Sequence, residues 1–473
     1  MSVVPEPGHP RLRFAPSPTG YLHVGGARAV LYNWLFARQQ GGRLLLRIED
    51  TDVERNRPEL VDNILDMILW LGLEWDGEPV HQSDRLDLYR DAAAKLVAAG
   101  RAYWCDCQPA AVQARAAARG GPPGYDGFCR DRGLGPGPGA ALRFRAPDDG
   151  TTVVTDVVRG EVAFENRAIE DFVILRSSGI PTFLLANLVD DADMTITHVL
   201  RGEEHLNGTP KYVLLGEALG LAHRPVFAHL PILVNERRQK LSKRRDDISV
   251  ADYKAQGFLP EAMVNYLALL GWGPPDGVEV RPLVEMVELF RLEDVNPSPA
   301  FFDVRKLTHI NGEYIRALPL GEFLARADDF ITHGEPARRA LRSMGAEVQP
   351  RITTLAEAEG YADFLFLDEP VIDEAAWLKA TKDERAPAML DLTRSGLDGA
   401  EWTVDGVEAA VRDAALAAGY VNAEGNPQLA KAQAPIRVAI TGRAVGPPLW
   451  QSIVVLGREA TASRLAAARA KLP

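Results

Sequence analysis

Residues 11–50 contain the pattern that most restricts the fold of this chain, because two short apolar segments flank a helix-compatible one. The apolar stretch 12–15 runs into a loop rich in proline and glycine, and 25–40 then shows apolar residues at helical spacing. Gly41 and Gly42 end this helix, and the segment 43–50, R-L-L-L-R-I-E-D, has the composition of a buried strand. Two apolar strands joined by a helix predict a parallel sheet, with functional groups near the carboxyl ends of the strands.

The rest of the chain divides into a mixed region and a helical region. After about Ala317 the sequence is rich in Ala, Leu, Glu and Arg and shows helical patterning without strand alternation. A length of 473 residues allows about three domains. We therefore predict a multidomain α/β plus all-α protein, in which a parallel-sheet region precedes one or two helical domains. The elements predicted for the mixed region are a loop at 120–139, strands at 153–158, 171–175, 194–200 and 226–234, and a helix at 210–219.

Charge and apolar patterning exclude several classes of protein. The net charge of −12 argues against a protein that coats nucleic acid by bulk attraction, although 236–245 forms a local basic segment. The longest apolar stretches, 63–73 and 262–272, are shorter than the roughly 20 residues that a membrane helix needs. No secretory signal is visible, and three cysteines are too few for a disulfide framework. We expect a cytoplasmic protein without membrane contact.

Two segments have the composition of phosphate-binding sites. The sequence H-V-G-G at 23–26 stands at the predicted N-terminus of a helix, where free N–H groups and the helix dipole attract phosphate. The run K-L-S-K-R at 240–244 offers cations that neutralise phosphates. Each segment has an ordinary alternative, a capping loop for the first and a solvated loop for the second. Their joint presence at the start and the end of the mixed region favours a nucleotide held in one catalytic domain.

Several motifs, in the right order, closely resemble those of bacterial glutamyl-tRNA synthetases, which are class I aminoacyl-tRNA synthetases. The run R-F-A-P-S-P-T-G-Y-L-H-V-G-G-A-R at 13–28 contains the first signature of that class, and 240–244 matches the second. The resemblance covers nearly the whole chain. The further matches are R-I-E-D-T-D at 47–52, P-T at 181–182, N-L-V-D-D at 187–191, R-G-E-E-H at 201–205 and R-V-A-I-T-G-R at 437–443.

The resemblance implies a domain order. A Rossmann-like catalytic domain with a parallel sheet is expected to be interrupted by an inserted domain that binds the acceptor stem of tRNA. A stem-contact domain with the K-L-S-K-R loop and two helical anticodon-binding domains are expected to follow. The expected bounds are 1–90 with 188–238 for the catalytic domain, 91–187 for the insertion, 239–324 for the stem-contact domain, and 325–385 and 386–473 for the anticodon-binding domains.

The resemblance also implies the reaction, which is ATP-dependent ligation of L-glutamate to the 3′ end of tRNA-Glu through a glutamyl-adenylate. Mg²⁺ is expected on the pyrophosphate of ATP, and the chain is expected to act as a monomer. His23 and Lys243 are the expected catalytic residues, because both would stabilise charge on the phosphates. Gly26 stands where the class signature has its second histidine. The expected ATP-binding residues are His23, Gly25, Gly26, Lys240, Ser242, Lys243 and Arg244.

Free glutamate carries two carboxylates and one ammonium, so its pocket needs fixed cations together with an acid or an amide. The planar guanidinium groups of Arg13 and Arg201 suit carboxylates. Related enzymes usually have tyrosine at the position of Phe183, so a hydroxyl contact to the substrate is lost here unless water replaces it. By resemblance, the glutamate site consists of Arg13, Ala15, Ser17, Glu49, Phe183, Asn187 and Arg201.

All three cysteines, Cys105, Cys107 and Cys129, lie in one short stretch of the expected insertion. Three thiolates and one oxygen satisfy tetrahedral Zn²⁺, and some glutamyl enzymes have a similar C-x-C…Y-x-x-x-C pattern. Tyr125 is the fourth candidate ligand, with Asp131 or water as its substitute. Such an ion would be structural, because a closed thiolate site leaves no open position for substrate. The alternative is three reduced thiols that survive from a zinc-binding ancestor.

The sequence leaves the tRNA specificity open. Arg351 is the candidate for an anticodon contact, and its alternative is an ordinary surface arginine. One or two such contacts separate an enzyme specific for tRNA-Glu from a non-discriminating enzyme that also charges tRNA-Gln. A further alternative is a catalytically inactive tRNA-binding paralogue, against which intact His23 and Lys243 argue. Glutamyl-queuosine-type enzymes lack the helical anticodon region and glutaminyl enzymes carry β-barrels there, so neither fits the helical end of this chain.

Overall fold

The computed structural model describes residues 8–52, 56–120, 124–222, 224–241 and 249–473. The chain forms two compact units. Within the described ranges, no helix is both long enough and apolar enough to cross a membrane. The first unit comprises Met1–Asp252 and Met263–Val304, and the second comprises Tyr253–Ala262 and Arg305–Pro473.

The first unit contains both strands and helices. The strands are β1 Arg11–Phe14, β2 Arg43–Ile48, β3 Val80–His81, β4 Ala102–Cys105, β5 Ala141–Phe144, β6 Thr151–Asp156, β7 Gly160–Glu165, β8 Val173–Leu175, β9 His198–Gly202, β10 Val226–Leu230, β11 Leu233–Val234 and β12 Ala300–Phe301. The helices that begin before residue 300 are α1 Val24–Gln39, α2 Pro58–Trp70, α3 Leu86–Ala98, α4 Pro109–Ala118, α5 Phe183–Asp193, α6 Thr209–Ala218, α7 Val250–Ala255, α8 Pro260–Ala268 and α9 Leu283–Leu289.

Parallel strands form the centre of the first unit. β2 lies between β1 and β3, and both pairs are parallel. β10 lies between β9 and β6, again in parallel, with His229 opposite Arg201, and β7 pairs with β6 in antiparallel orientation. A hydrogen bond from Thr197 N to Arg11 O (2.9 Å) brings the start of β9 to β1. β6 comes from the segment 91–187, which was predicted as an insertion, yet it pairs with β10, which lies outside that segment.

The sequence explains the unit β1–α1–β2. Leu12 of β1 and Ile48 of β2 are fully buried, and α1 packs Leu31 into the same core. Gly42 ends the turn between α1 and β2, where a Cβ atom would lie 2.2 Å from the carbonyl oxygen of Pro10. Glycine is therefore required at this close approach of two backbone segments.

Two of the four strands predicted for the mixed region differ from the structure by more than a shift of two residues. The strand predicted at 194–200 begins only at His198, because Thr195 adopts a left-handed conformation (φ 53°) that turns the chain after α5. The strand predicted at 226–234 is divided into β10 and β11, since Pro231 has no N–H to continue the ladder.

The second unit is helical throughout its core. Phe364, Leu390, Val411, Ile436 and Ile453 are fully buried in one apolar cluster. The described residues 305–473 contain helices and a single isolated bridge, so the prediction of a parallel-sheet region followed by a helical region is confirmed. The helices are α10 Val304–Ala317, α11 Leu320–Ala327, α12 Gly334–Val348, α13 Glu357–Ala362, α14 Glu374–Ala380, α15 Ala386–Asp398, α16 Val404–Ala417, α17 Leu429–Thr441, α18 Leu449–Leu456 and α19 Arg458–Ala470.

Candidate active site

One cavity of the first unit has a volume of about 580 Å³, and residues in or directly after the central strands line it. Glu49 comes directly after β2, and Arg201 lies in β9. Ser242, Lys243 and Arg244, which were predicted for the same site, lie outside the described residues. The predicted residues that line the cavity are Arg13, Ala15, Ser17, His23, Gly25, Gly26, Glu49, Phe183, Asn187, Arg201 and Lys240.

The N-terminus of α1 opens onto this cavity. His23 is the N-cap, and its Nδ1 accepts a hydrogen bond from Gly26 N (3.1 Å). Because Nδ1 is the acceptor, Nε2 carries the proton of the neutral ring. A Cβ atom at Gly25 would approach Nδ1 of His23 to 3.0 Å, so glycine keeps the ring in its capping position. The helix end offers backbone N–H groups and its positive dipole end to an anion.

Arg47 is fully buried in β2 and connects several residues around the cavity. Its Nη1 donates to Asp191 Oδ1 (2.6 Å), and its Nη2 donates to Asn187 Oδ1 (2.5 Å). Asn187 Nδ2 in turn donates to Glu49 Oε1 (2.6 Å). These bonds fix the Asn187 amide with its oxygen toward Arg47 and its nitrogen toward Glu49.

Asp191 holds a second guanidinium group. Arg13 Nε donates to Asp191 Oδ1 (3.0 Å), and Tyr212 donates its hydroxyl proton to Oδ2 (3.1 Å). Burial opposes ionisation of this carboxyl, but Arg13 and Arg47 outweigh burial, and the pKa of Asp191 lies below its usual value. An ionised Asp191 therefore keeps both arginines in place.

The lining of the cavity places the cations Arg13 and Arg201 near the carboxyl group of Glu49. Burial, and then the nearby Arg13, lower the pKa of Arg201 to about 10, so Arg201 keeps its charge near neutral pH. The pKa of Glu49 is raised, because burial outweighs the stabilising effects of Arg47 and Asn187. Ser17 Oγ donates to Glu49 Oε2 (3.3 Å). Two cations beside one carboxylate suit a ligand with two negative groups and one positive group.

Phe183 begins α5 and stacks on His205, with ring centroids 5.2 Å apart and an angle of 22° between the planes. Phe183 is 38% exposed, so its face remains accessible from the cavity. Burial, and then Arg201, lower the pKa of His205 to about 4, so this imidazole is neutral near pH 7. The ring pair is an uncharged wall of the cavity.

Arg47, Asp191, Glu204 and His205 received no role in the sequence prediction, although all lie within the quoted motifs. Glu204 Oε1 lies 3.6 Å from Lys240 Nζ, and both residues line the cavity. A charged residue within an apolar run such as R-L-L-L-R-I indicates a buried ion pair. This pattern could have identified Arg47 from the sequence. Its hydrogen-bond partners Asn187 and Asp191 lie more than a hundred residues away, so the sequence alone did not identify them.

The three cysteines come together in the first unit. The Sγ atoms of Cys105, Cys107 and Cys129 all lie within 4.8 Å of one another. Arg115 Nη2 donates to Cys107 Sγ (3.3 Å), and Arg132 Nη1 donates to Cys129 Sγ (3.3 Å). These two guanidinium groups hold two of the three sulfurs in place.

Oxygen atoms also approach this cysteine cluster. The hydroxyl oxygen of Tyr125 lies 3.4 Å from Cys105 Sγ, as its candidate role requires. Asp131, the substitute ligand considered from the sequence, instead forms an ion pair with Arg145 (2.9 Å). Asp106 Oδ1 lies 3.5 Å from Cys129 Sγ and also accepts a hydrogen bond from Arg132 Nη1 (2.8 Å).

Arg351 lies in the second unit, at the end of a short turn after α12. Its Nη1 donates to the carbonyl oxygen of Glu347 (2.6 Å), and its side chain is exposed. Burial, and then the charge of Arg351, lower the pKa of Arg437, so two cations lie near each other at this place. Neighbouring arginines attract phosphate groups and stack on nucleobases.

Comparisons with known proteins agree with this architecture. Residues 10–309 match the family "tRNA synthetases class I (E and Q), catalytic domain", and residues 322–469 match the family "Anticodon binding domain". Two relatives, the glutamate–tRNA ligases of Thermobifida fusca and Salinispora arenicola, are 53% and 52% identical to this chain. Each alignment covers 98% of this chain, with 98% of the first relative and 99% of the second.

A solved structure leads to the same family. The crystal structure of a glutamate tRNA ligase from Elizabethkingia meningosepticum in complex with its amino acid matches with a TM-score of 0.82 and 30% identity. The match covers 98% of this chain and 100% of that one. The resemblance inferred from the motifs is thus confirmed. The chain belongs to the class I tRNA synthetases of the E and Q type, and among them to the glutamate–tRNA ligase family.

Proposed function

We propose that this chain activates L-glutamate with ATP and transfers the glutamyl group to the 3′-terminal adenosine of tRNA-Glu. One observation carries the proposal: every residue expected to bind glutamate lines the same cavity as the N-terminus of α1. The names of the relatives, glutamate–tRNA ligases at about half identity over nearly the full length, support the same reaction.

The charges of the cavity explain how glutamate is held in this proposal. The guanidinium groups of Arg13 and Arg201 receive carboxylates, and the Glu49 carboxylate receives the ammonium group. Asn187 and Ser17 keep Glu49 oriented through their hydrogen bonds to its two oxygens. Such fixed positioning lowers the entropic cost of the reaction, because the carboxylate that reacts is already held beside the nucleotide.

The reaction then proceeds in two transfers. A carboxylate oxygen of glutamate attacks the α-phosphorus of ATP, bound as its Mg²⁺ complex, and the bond to pyrophosphate breaks. His23, the backbone N–H groups of α1 and Lys243 stabilise the charge that develops on the phosphates. A ribose hydroxyl of the terminal adenosine next attacks the glutamyl carbonyl carbon, and AMP leaves. Gly25, Gly26, Lys240, Ser242 and Arg244 complete the proposed ATP site.

We assign the contacts with tRNA as the family suggests. Residues 91–187 are the proposed acceptor-stem insertion in a Rossmann-like catalytic domain (1–90 and 188–238), and 239–324 the stem-contact domain. The helical regions 325–385 and 386–473 are the proposed anticodon-binding domains, with Arg351 as a base contact. The net charge of −12 permits this role, because one basic face suffices for tRNA. A monomer in the cytoplasm is the proposed working form.

The direct test of activation is glutamate-dependent exchange of pyrophosphate into ATP. We expect exchange in the presence of tRNA-Glu and little exchange without it, since tRNA is expected to complete the activation site. His23→Ala is the matched inactive variant, and it is expected to lose about two orders of magnitude in rate, as removal of one transition-state donor does. An absence of exchange under both conditions would support the inactive paralogue.

The cysteine cluster fits one structural Zn²⁺, which would tie three positions of the acceptor-stem insertion together. Three converging sulfurs offer three of the four ligands of a tetrahedral ion, and the Tyr125 oxygen is the candidate for the fourth. Arg115 and Arg132 donate hydrogen bonds to two of these sulfurs. Water or Asp106 is the substitute for Tyr125 as the fourth ligand. The ion would stabilise the fold locally and take no part in the reaction.

Metal analysis tests this site. Protein purified without chelator is expected to contain about one zinc per chain, and Cys105→Ser is expected to lose it together with thermal stability. Asp131→Asn is the control, because Asp131 pairs with Arg145 and its loss should leave the zinc content unchanged. Far less than one zinc per chain, with normal folding of Cys105→Ser, would favour vestigial thiols.

The raised pKa of Glu49 predicts how activity depends on pH. Only the ionised carboxylate accepts the ammonium group, so glutamate binding is present above this pKa and is lost as the pH falls through it. We expect kcat/KM for glutamate to fall on the acid side at a pH above the ordinary glutamate value of about 4.3. Glu204→Gln is the control and should keep the same fall in activity at acid pH, because the pKa of Glu204 is lowered, whereas that of Glu49 is raised. A flat profile down to about pH 4.3 would contradict the role of Glu49.

Phe183→Tyr restores the hydroxyl that relatives usually carry at this position. If water already fills the gap, we expect the KM for glutamate to change by less than the value of one net hydrogen bond, about 0.5–1.5 kcal/mol. The comparison variant is Phe183→Leu, which removes the stacking on His205. A larger gain in Phe183→Tyr would mean that the proposed glutamate pocket lacks a contact.

A further inference from the structure

Arg201 contacts a buried histidine that belongs to no predicted site. His229 lies opposite Arg201 on the neighbouring strand β10 and is fully buried. Its Nε2 lies 3.2 Å from Arg201 Nε, and its Nδ1 lies 2.6 Å from Asp156 Oδ2. The side chains of Asp156, His229 and Arg201 therefore form a continuous chain that ends at the cavity.

Asp156 determines which nitrogen of His229 carries the proton. The carboxylate accepts backbone N–H bonds from Val158 (3.0 Å) and Arg159 (2.9 Å) as well as the bond from the imidazole. Burial opposes ionisation of Asp156, but these bonds, the one from His229 foremost, keep its pKa below the usual value. An ionised carboxylate only accepts, so Nδ1 of His229 is the protonated nitrogen.

The other nitrogen of His229 is then an acceptor. Burial lowers the pKa of His229, so the ring is neutral and Nε2 presents a lone pair to Arg201. Arg201 Nε donates to this lone pair, and Thr209 Oγ1 lies 3.1 Å from the same nitrogen of His229. Arg201 Nη2 donates to Thr209 Oγ1 (2.9 Å). Among the residues that the structure describes, Nη1 of Arg201 has no hydrogen-bond partner. Two nitrogens thus hold the guanidinium, and the third is left for a ligand in the cavity.

We propose that His229 is a positioning residue for glutamate: by accepting the Nε–H of Arg201 it sets the plane in which the guanidinium meets a substrate carboxylate. Asp156 supports this role by fixing the imidazole tautomer. The inference rests on the function proposed above, and it adds two residues that act on substrate through Arg201. Because β6 supplies Asp156, the segment 91–187 contributes to glutamate recognition as well.

Two substitutions of His229 distinguish its role as a hydrogen-bond acceptor for Arg201 from a role that only fills space. His229→Gln keeps an amide oxygen near the position of Nε2, whereas His229→Asn keeps a group only near Nδ1. We expect the KM for glutamate to rise about tenfold or more in His229→Asn, the effect of losing one hydrogen bond to a charged group, and to recover largely in His229→Gln. The KM for ATP and kcat should change by about twofold at most.

Asp156→Asn tests the tautomer. The backbone N–H groups of Val158 and Arg159 bind Oδ1, and the backbone N–H of His229 reaches Oδ1 as well (3.2 Å), so these three donors retain the amide oxygen there. The amide nitrogen then faces His229 Nδ1. That arrangement moves the imidazole proton to Nε2, where it opposes the N–H of Arg201. Nitrogen-15 spectra of labelled histidines should show the Nδ1–H form of His229 in the wild type and the Nε2–H form in this variant. The KM for glutamate should rise as in His229→Asn.

His198→Gln is the matched control, because His198 lies on the adjacent strand β9 and packs against Phe36. It is expected to leave the KM for glutamate unchanged. The proposal is overturned if wild-type His229 carries its proton on Nε2, or if His229→Asn and Asp156→Asn keep the wild-type KM. A wild-type protein that exchanges no pyrophosphate with glutamate contradicts the proposed function instead, and the tautomer spectrum still decides the arrangement of the three side chains.

Discussion

Arg47→Met is expected to destabilise the first unit by about 3–5 kcal/mol, the cost of leaving buried charges without their partner. Arg47 is fully buried and donates to Asp191 and Asn187, and its Nη2 lies 3.6 Å from Glu49 Oε1. Methionine fills the space of the apolar stem but compensates none of these groups. The variant should also bind glutamate poorly, because Asn187 and Glu49 lose their fixed orientation.

Hydrogen exchange of peptides from β2 and α5, read by mass spectrometry, measures this loss in the first unit alone. The matched control is Arg38→Met, which removes a partly exposed ion pair with Asp76 (2.9 Å) and should cost less than about 1 kcal/mol. If the backbone amides of β2 and α5 were equally protected from exchange in Arg47→Met and Arg38→Met, Arg47 would not organise the site.

Lys243→Ala is expected to lower the rate of glutamate activation by about 10²–10³, the usual cost of removing one charge that stabilises a transition state. Lys243 lies outside the described residues, so this expectation rests on its place in the second class I signature. Binding of tRNA should change little, because one cation contributes a small part of a contact spread over many phosphates. The substitution should therefore lower the rate of glutamate activation and leave the affinity for tRNA nearly unchanged.

Rapid-quench measurement of adenylate formation, combined with a tRNA binding assay, separates these two quantities. Arg237→Ala is the control, because Arg237 is an exposed cation of the same basic segment. It should activate glutamate at close to the wild-type rate. An activation rate within about threefold of wild type in Lys243→Ala would remove this lysine from the mechanism.

Local patterns in the sequence predict the unit β1–α1–β2, because each of its signals involves neighbouring residues. Apolar spacing identifies the helix, and Gly42 stands where the chain passes close to Pro10. The break between β10 and β11 was missed, although Pro231 is visible in the sequence, since the apolar run on both sides resembles one strand. Tertiary pairing decides such cases, and propensity does not.

Family motifs in the sequence name the candidate site residues, but they do not name the contacts between distant residues. Arg47 joins Asn187 and Asp191 across 140 and 144 positions of the chain. The contact of His229 with Arg201 depends on the register of two parallel strands, which no motif specifies. Asp131 was considered beside the cysteines because it is near in sequence, but its loop directs it to Arg145.

Aminoacylation of purified tRNA-Glu with a choice of glutamate, glutamine or aspartate tests the proposed reaction most directly. The second tRNA in the assay is tRNA-Gln, which distinguishes a specific enzyme from a non-discriminating one. We predict that glutamate is attached to the 3′ end of tRNA-Glu in an ATP-dependent reaction, and that the other two amino acids are not. Failure to acylate tRNA-Glu with glutamate, by protein that is folded and binds ATP, would contradict the proposed function.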